Sequence, residues 1–157
     1  MNWDDKFRSL SEAERKRAEE SADKQARIET NRANSDKAAS DALNNVVIPC
    51  IQKFASDAKK YGYSAEVEPK SVTHGNGPLA GQTLTQSATL RMSRGGKMIP
   101  LYQLVVTHAP GDESFTFSLS QSGSPHNSTS NQAVTATDAL FVDSWLERLL
   151  EQFSGNS

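Results

Sequence analysis

Ser114-Phe115-Thr116-Phe117-Ser118-Leu119-Ser120 alternates apolar and hydroxyl side chains with a period of two. That spacing puts three large apolar groups on one side of an extended chain and four hydroxyls on the other, so the run reads as a strand with one buried face. The residues before it are Ala109-Pro110-Gly111-Asp112, with Pro and Gly in the order a type II turn favours. Upstream again, Met98 to His108 is mostly apolar and reads as a central strand, with Pro100 at its start or at a bulge because proline cannot donate to a ladder. Arg94-Gly95-Gly96-Lys97 forms the next turn, its glycines suited to the positive backbone angles of a tight hairpin. Before it, Leu84, Ala88, Leu90 and Met92 point one way and Thr83, Thr85, Ser87, Thr89 and Arg91 the other. Two successive turns make the segment from about Gln82 to Gln121 an antiparallel meander of three strands.

Working outward, Tyr63, Ala65 and Val67 alternate with Ser64, Glu66 and Glu68, predicting a fourth short strand ended by Pro69. From Ala42 to Tyr61 the period changes to helical. Leu43, Val46, Val47, Cys50, Ile51, Phe54, Ala55, Ala58 and Tyr61 line one stripe, and Gly62 closes the helix. Pro49 lies inside this run, so the helix kinks there or restarts with Pro49 in its first turn. On the other side of the meander, Ser122 to Gln132 has no apolar content and reads as a loop. Ala139, Val142, Trp145, Leu146, Leu149, Leu150 and Phe153 then repeat at three and four, with Thr137 or Asp138 available as N-cap, giving a closing amphipathic helix that docks on the sheet.

The expected fold is therefore α+β and two-layered. A four-stranded antiparallel meander is covered on one face by two helices, at 42 to 61 and 138 to 153, and preceded by a long charged helical arm. Residues 1–41 form the arm, 42–154 the compact domain and 155–157 a tail. The arm boundary rests on charge: residues 1 to 41 hold nine of the 17 Lys/Arg and ten of the 19 Asp/Glu, and contain neither Pro nor Gly. Ser11-Glu12-Ala13-Glu14 has the capping-box form of a helix start, and acid-to-base pairs four apart recur at Asp4/Arg8, Glu12/Lys16, Glu20/Lys24 and Asp23/Arg27. Thr30 to Ser40, rich in Asn, Ser and Ala, is where this helix is expected to break or bend. The arm has no zipper seam of large residues over successive heptads, since its apolar positions past Leu10 are mostly alanines.

Composition restricts function more than it reveals it. A formal charge of -2 gives no global attraction to nucleic acid or acidic membrane, and no run is long and apolar enough to span a bilayer. The single cysteine, Cys50, makes no intrachain disulfide, and the start of the chain lacks a signal-peptide pattern, so a cytoplasmic protein is expected, without membrane association. His74, His108 and His126 are far apart in sequence and no metal is expected; no cofactor motif is present either. The glycine-rich Thr73 to Gly81 loop could aim backbone N–H groups at an anion, but it lacks the strand, helix and Lys-Ser/Thr of phosphate loops and reads as a flexible connection. Cys50 falls on a core stripe, where a thiol is an inert small hydrophobe, and no catalytic residues are assigned.

What remains is association. Trp3, Phe7 and Leu10 stand at i, i+4 and i+7 on a charged helix, the pattern of anchors for a groove. The arm either folds back to bury them on its own domain or carries them to another molecule. A second surface is the uncovered sheet face, a bed of hydroxyls including Thr85, Thr89, Thr116 and Ser118, which desolvate more cheaply than charges; ordinary solvated sheet is the plainer account of it. The reading is a non-enzymatic interaction module, an adaptor, regulator or chaperone-like protein, binding a protein partner or itself as a homodimer. Two alternatives differ in class. One is a nucleic-acid-associated factor using Arg91, Arg94 and Lys97 at the first hairpin tip, disfavoured because little positive charge is unbalanced and no aromatics interleave. The other is a small-ligand binder or hydrolase with a pocket between sheet and helices lined by Cys50, Phe54, Tyr102 and Trp145.

Overall fold

A computed structural model describes residues 2–96, 101–123 and 127–155. The first element, α1, is a single helix of 40 residues, Trp3–Ala42. It starts earlier than the capping-box motif suggests: the Asn2 side chain accepts the Asp4 amide, and Ser11 lies inside the helix. Nor does it break between Thr30 and Ser40. The small polar residues there lack Gly and Pro, and the segment gains packing instead, with Ala33, Ala39 and Ser40 buried. The 41/42 boundary between arm and domain thus falls within continuous helix.

A π-helical turn, Leu43–Val47, joins α1 to α2, Ile48–Lys60. Pro49 explains it. Its ring would collide with the carbonyl four residues back, and one extra residue in the preceding turn absorbs the misfit, with the Ile48 amide reaching the Leu43 carbonyl. Pro49 then sits in the first turn of α2, where its missing N–H costs nothing. Gly62, at φ +87°, closes the helix, and Tyr61 beside it is exposed rather than part of the buried stripe.

The sheet has five strands in sequential antiparallel order: β1 Tyr63–Thr73, β2 Thr83–Arg94, β3 Tyr102–His108, β4 Ser114–Gln121 and β5 Ser128–Ala133. Two sequence expectations need correction. Pro69 does not end β1, which runs on to Thr73; β1 is an edge strand, so an absent N–H can face outward. The segment read wholly as a loop contains all but the last residue of β5, whose Ser-Thr-Ser-Asn-Gln-Ala has no large apolar residue to alternate and is held by its backbone ladder to β4. Residues 97–100, which include Lys97 of the hairpin and the first part of the predicted central strand, lie outside the described residues, as do Pro125, His126 and the last two residues of the tail.

Both hairpin glycines have a role, though not the same one. Gly96 takes the left-handed conformation at φ +77°, whereas a Cβ on Gly95 would fall on the carbonyl of Gly62. The Ala109 to Asp112 turn is as expected, with Gly111 at φ +80° and the Asp112 amide bonded to the Ala109 carbonyl.

A short 3-10 turn, Val134–Ala136, leads to α3, Ala139–Gly155, whose first turn is capped by the Asp138 carboxylate accepting the Phe141 amide at 2.8 Å. The core lies between one face of the sheet and the helices. Leu90, Leu104 and Leu119 form one buried row, Ala88, Val106 and Phe117 the next. Leu43, Val47 and Ile51 cover them from one helix and Val142, Trp145 and Leu149 from the other, with Trp145 stacked on Phe117 at 5.7 Å.

Candidate interaction surfaces

The long helix is held on the body by three polar contacts around an apolar strip. The Ser40 hydroxyl accepts the Thr85 amide at 2.9 Å, the Thr85 hydroxyl donates to the Asn44 side chain at 2.8 Å, and the Asp36 carboxylate accepts the Gly111 amide at 2.7 Å. Thr85 is free to do this because the β1/β2 register slips between Lys70 and Ser71, leaving Gln86 as an extra residue on β2 and turning Thr85 toward the helix. His108, buried at the end of β3, donates from Nε2 to the Asp112 carbonyl at 2.6 Å, and its Nδ1 stands 3.8 Å from Asp36. The glycine-rich loop closes this end. Its Ala80, Gly81 and Gln82 amides are bonded to the loop's own Gly77, His74 and Leu79 carbonyls, and Leu79 packs on Ala33 and Leu84. Those N–H groups are spent on the turn.

Glu29 and Arg32 still border the body beside the glycine-rich loop, and toward the N-terminus from there α1 leaves it. Every residue from Asn2 to Arg32 is exposed, over a length of about 45 Å at 1.5 Å per residue. Trp3 is 61% exposed, Phe7 66% and Leu10 55%. The arm therefore does not fold back onto its own domain or its own sheet face. Its internal support is slight: Arg15 and Glu19 approach to 3.9 Å in solvent, and the Lys6 ammonium lies 5.5 Å from the Trp3 ring.

On the uncovered sheet face, Thr89, Val105 and Ser118 form one row with Glu68 and Thr129 at its ends, and Ser87, Thr107 and Thr116 another. Among the described residues of β2 to β5, Arg91 is the one charge on that face, and Glu68 of β1 neutralises it at 2.6 Å. The Arg91 guanidinium holds the Glu68 carboxyl below the usual glutamate range. Thr116 donates to Asn131 at 3.1 Å, and Thr89 is buried between its longer neighbours. Thr89, Thr116 and Ser118 are thus together, while Thr85 belongs to the helix contact.

The other candidates separate. Arg94 lies over the Phe153 ring at 5.6 Å, so both described cations of the hairpin tip already have partners. Tyr102 and Trp145 are sealed in the core, whereas Cys50 and Phe54 line an open hollow between α2 and α3. Burial and the nearby Asp143 carboxylate push the Cys50 thiol up, the opposite of nucleophile activation. Among the described residues no three His, Cys, Asp or Glu side chains gather as metal ligands, and no helix is long and apolar enough to cross a membrane.

Sequence reasoning grouped Cys50 and Phe54 with Tyr102 and Trp145 in a pocket; it did not foresee the open hollows beside α2, where a half-buried row of Ala42, Val46, Cys50, Phe54 and Ala58 is left incompletely covered by α3. The signal was present in the width of the apolar stripe, which exceeds what one sheet face can bury. Comparison with protein-family models, curated proteins and solved structures finds no match.

Proposed function

We propose that the protein is a non-enzymatic interaction module, adaptor-like, regulatory or chaperone-like, that engages a protein through its helical arm, with the hydroxyl-bearing sheet face as a subsidiary surface. One observation carries this reading: three large apolar side chains share one face of a helix and touch nothing in their own domain. An isolated helix gains little from such residues in water, whereas burying each in a groove contributes about 1.5–3 kcal/mol. A cytoplasmic location is part of the reading and rests on the lone thiol. The pairing of Arg91 with Glu68, the stacking of Arg94 on Phe153 and the separation of Cys50 from Tyr102 and Trp145 weigh against the nucleic-acid and hydrolase alternatives.

The test is a comparison of wild type with the full-length Phe7→Lys variant, measuring both self-association and proteins retained from a native lysate. Wild type should show one or the other and Phe7→Lys neither. Equal behaviour of the two proteins would overturn the proposal.

A further inference from the structure

We propose that the arm's receptor is a second copy of this chain: two long helices pair antiparallel about a two-fold axis, and each Trp3, Phe7 and Leu10 face enters the groove beside α2 of the other copy. This rests on the association reading and names its partner.

The groove consists of three open hollows, one beside the end of α1 and two beside α2, about 410, 260 and 280 Å³ in volume. The first borders Ser35 and Ala38, the second Cys50 and Lys53, and the third Phe54, Ala58 and Leu150. The arm's anchors and this groove lie on one line. Alternating steps of four and three carry Trp3 to Phe7, Leu10, Glu14 and Arg17, and later to Ser35, Ala38 and Ala42. The π-helical turn then inserts one residue, so the count resumes at Val46 and continues through Cys50, Lys53 and Asp57. That spacing is the seam of a left-handed helix pair.

Size and charge along the seam select the direction. Its arm half is mostly bulky, and its body half from Ser35 to Cys50 mostly small. A parallel copy would stack Glu14, Arg17 and Lys24 each on its own like charge. Reversal instead sets Leu10 against Cys50, Arg17 against Ala42 and Lys24 against Ser35, so that large meets small there, while Phe7 lies along the aliphatic stem of Lys53 and Trp3 beside Asp57. In that register Lys24 of one copy lies opposite Ser35, at the hollow edged by Asp112 and Glu113 of the other, so its charge is complemented. The axis passes between Ile28 and Asn31, and both contacts form together because anchors and groove lie along the same run of α1, π-helical turn and α2. At the observed exposures the three anchors present on the order of 350 Å² per arm, and two arms with their two grooves come to just over about 1,000 Å², enough for a specific interface.

The decisive experiment uses the full chain with Leu10→Cys, joined by a short bis-maleimide, alongside sedimentation of wild type, Phe7→Lys and Ala38→Arg. Both latter changes are at exposed positions, so the body stays folded. Wild type should sediment as a dimer. Each variant should weaken it more than about 100-fold, since every dimer loses two contacts. The cross-link should join the new cysteine of one copy to Cys50 of the other and vanish with Cys50→Ser. Links between two Leu10→Cys residues would overturn the antiparallel pairing. A wild-type monomer that still binds another protein through Phe7 would overturn self-pairing and leave the association reading standing; a monomer that binds nothing would overturn both.

Discussion

Replacing Asp36 by Ala removes the polar latch between α1 and the turn joining β3 to β4. The Asp36 carboxylate, its side chain 15% exposed, accepts the Gly111 amide at 2.7 Å and stands 3.8 Å from the His108 ring. A hydrogen bond to a charged acceptor contributes about 1.5–3 kcal/mol, and the variant leaves the Gly111 N–H without its acceptor under the Arg32 side chain. The expected loss is about 2–3 kcal/mol. With a urea dependence of about 2 kcal/mol per molar for a chain of this size, the unfolding midpoint should fall by about 1 M. Asp36→Asn keeps an acceptor oxygen and should lose roughly half as much. Urea unfolding followed by circular dichroism checks both. A loss under about 0.5 kcal/mol for Asp36→Ala would show that the helix base is held by its apolar contacts alone, and the account of the latch would fail.

Further outcomes follow from single contacts. Gly111→Ala should destabilise by about 1–2 kcal/mol from left-handed strain alone, with an added penalty from Arg32 at 2.8 Å; Gly123→Ala, at similar φ in open space, should show only the first part in the same urea assay. Trp145→Ala empties the centre of the core and should cost about 3–5 kcal/mol by calorimetry. The Cys50 thiol, with its pKa raised, should react with maleimide at pH 8 more slowly than free cysteine because less thiolate is present, and Asp143→Asn should speed it. For Glu68 the sign is opposite: its pairing with Arg91 persists as pH falls through the ordinary glutamate range and is lost only through the depressed value. Carboxyl NMR titration should place its midpoint below that of a free glutamate, with Arg91→Gln moving it back up.

Much of the fold was legible because large apolar residues alternate cleanly. Phe115, Phe117 and Leu119 face the helices as their spacing demands, and Pro49 announced the irregularity that the π-helical turn absorbs. What was illegible lacked side-chain signal. The β5 segment is specified by backbone pairing, and β1 beyond Pro69 is an exposed edge whose burial does not alternate. The continuity of α1 through Thr30 to Ser40 is a tertiary effect, since packing of Ala33 and Ala39 outweighs modest local propensity. For the surfaces, the anchor spacing of Trp3, Phe7 and Leu10 could be read directly. Thr85 could not be assigned to the helix contact, because the bulge that turns it depends on the partner strand's register.

The central claim is that the arm is a helix without an interior of its own, built to be covered by another molecule. Amide hydrogen exchange on the full-length protein, at concentrations dilute enough to keep it monomeric, tests this most directly. Residues 3 to 28 should exchange near the rates of an isolated, marginally stable helix while β2 to β4 stay protected. Arm amides as slow as those of the sheet in a monomer would contradict it.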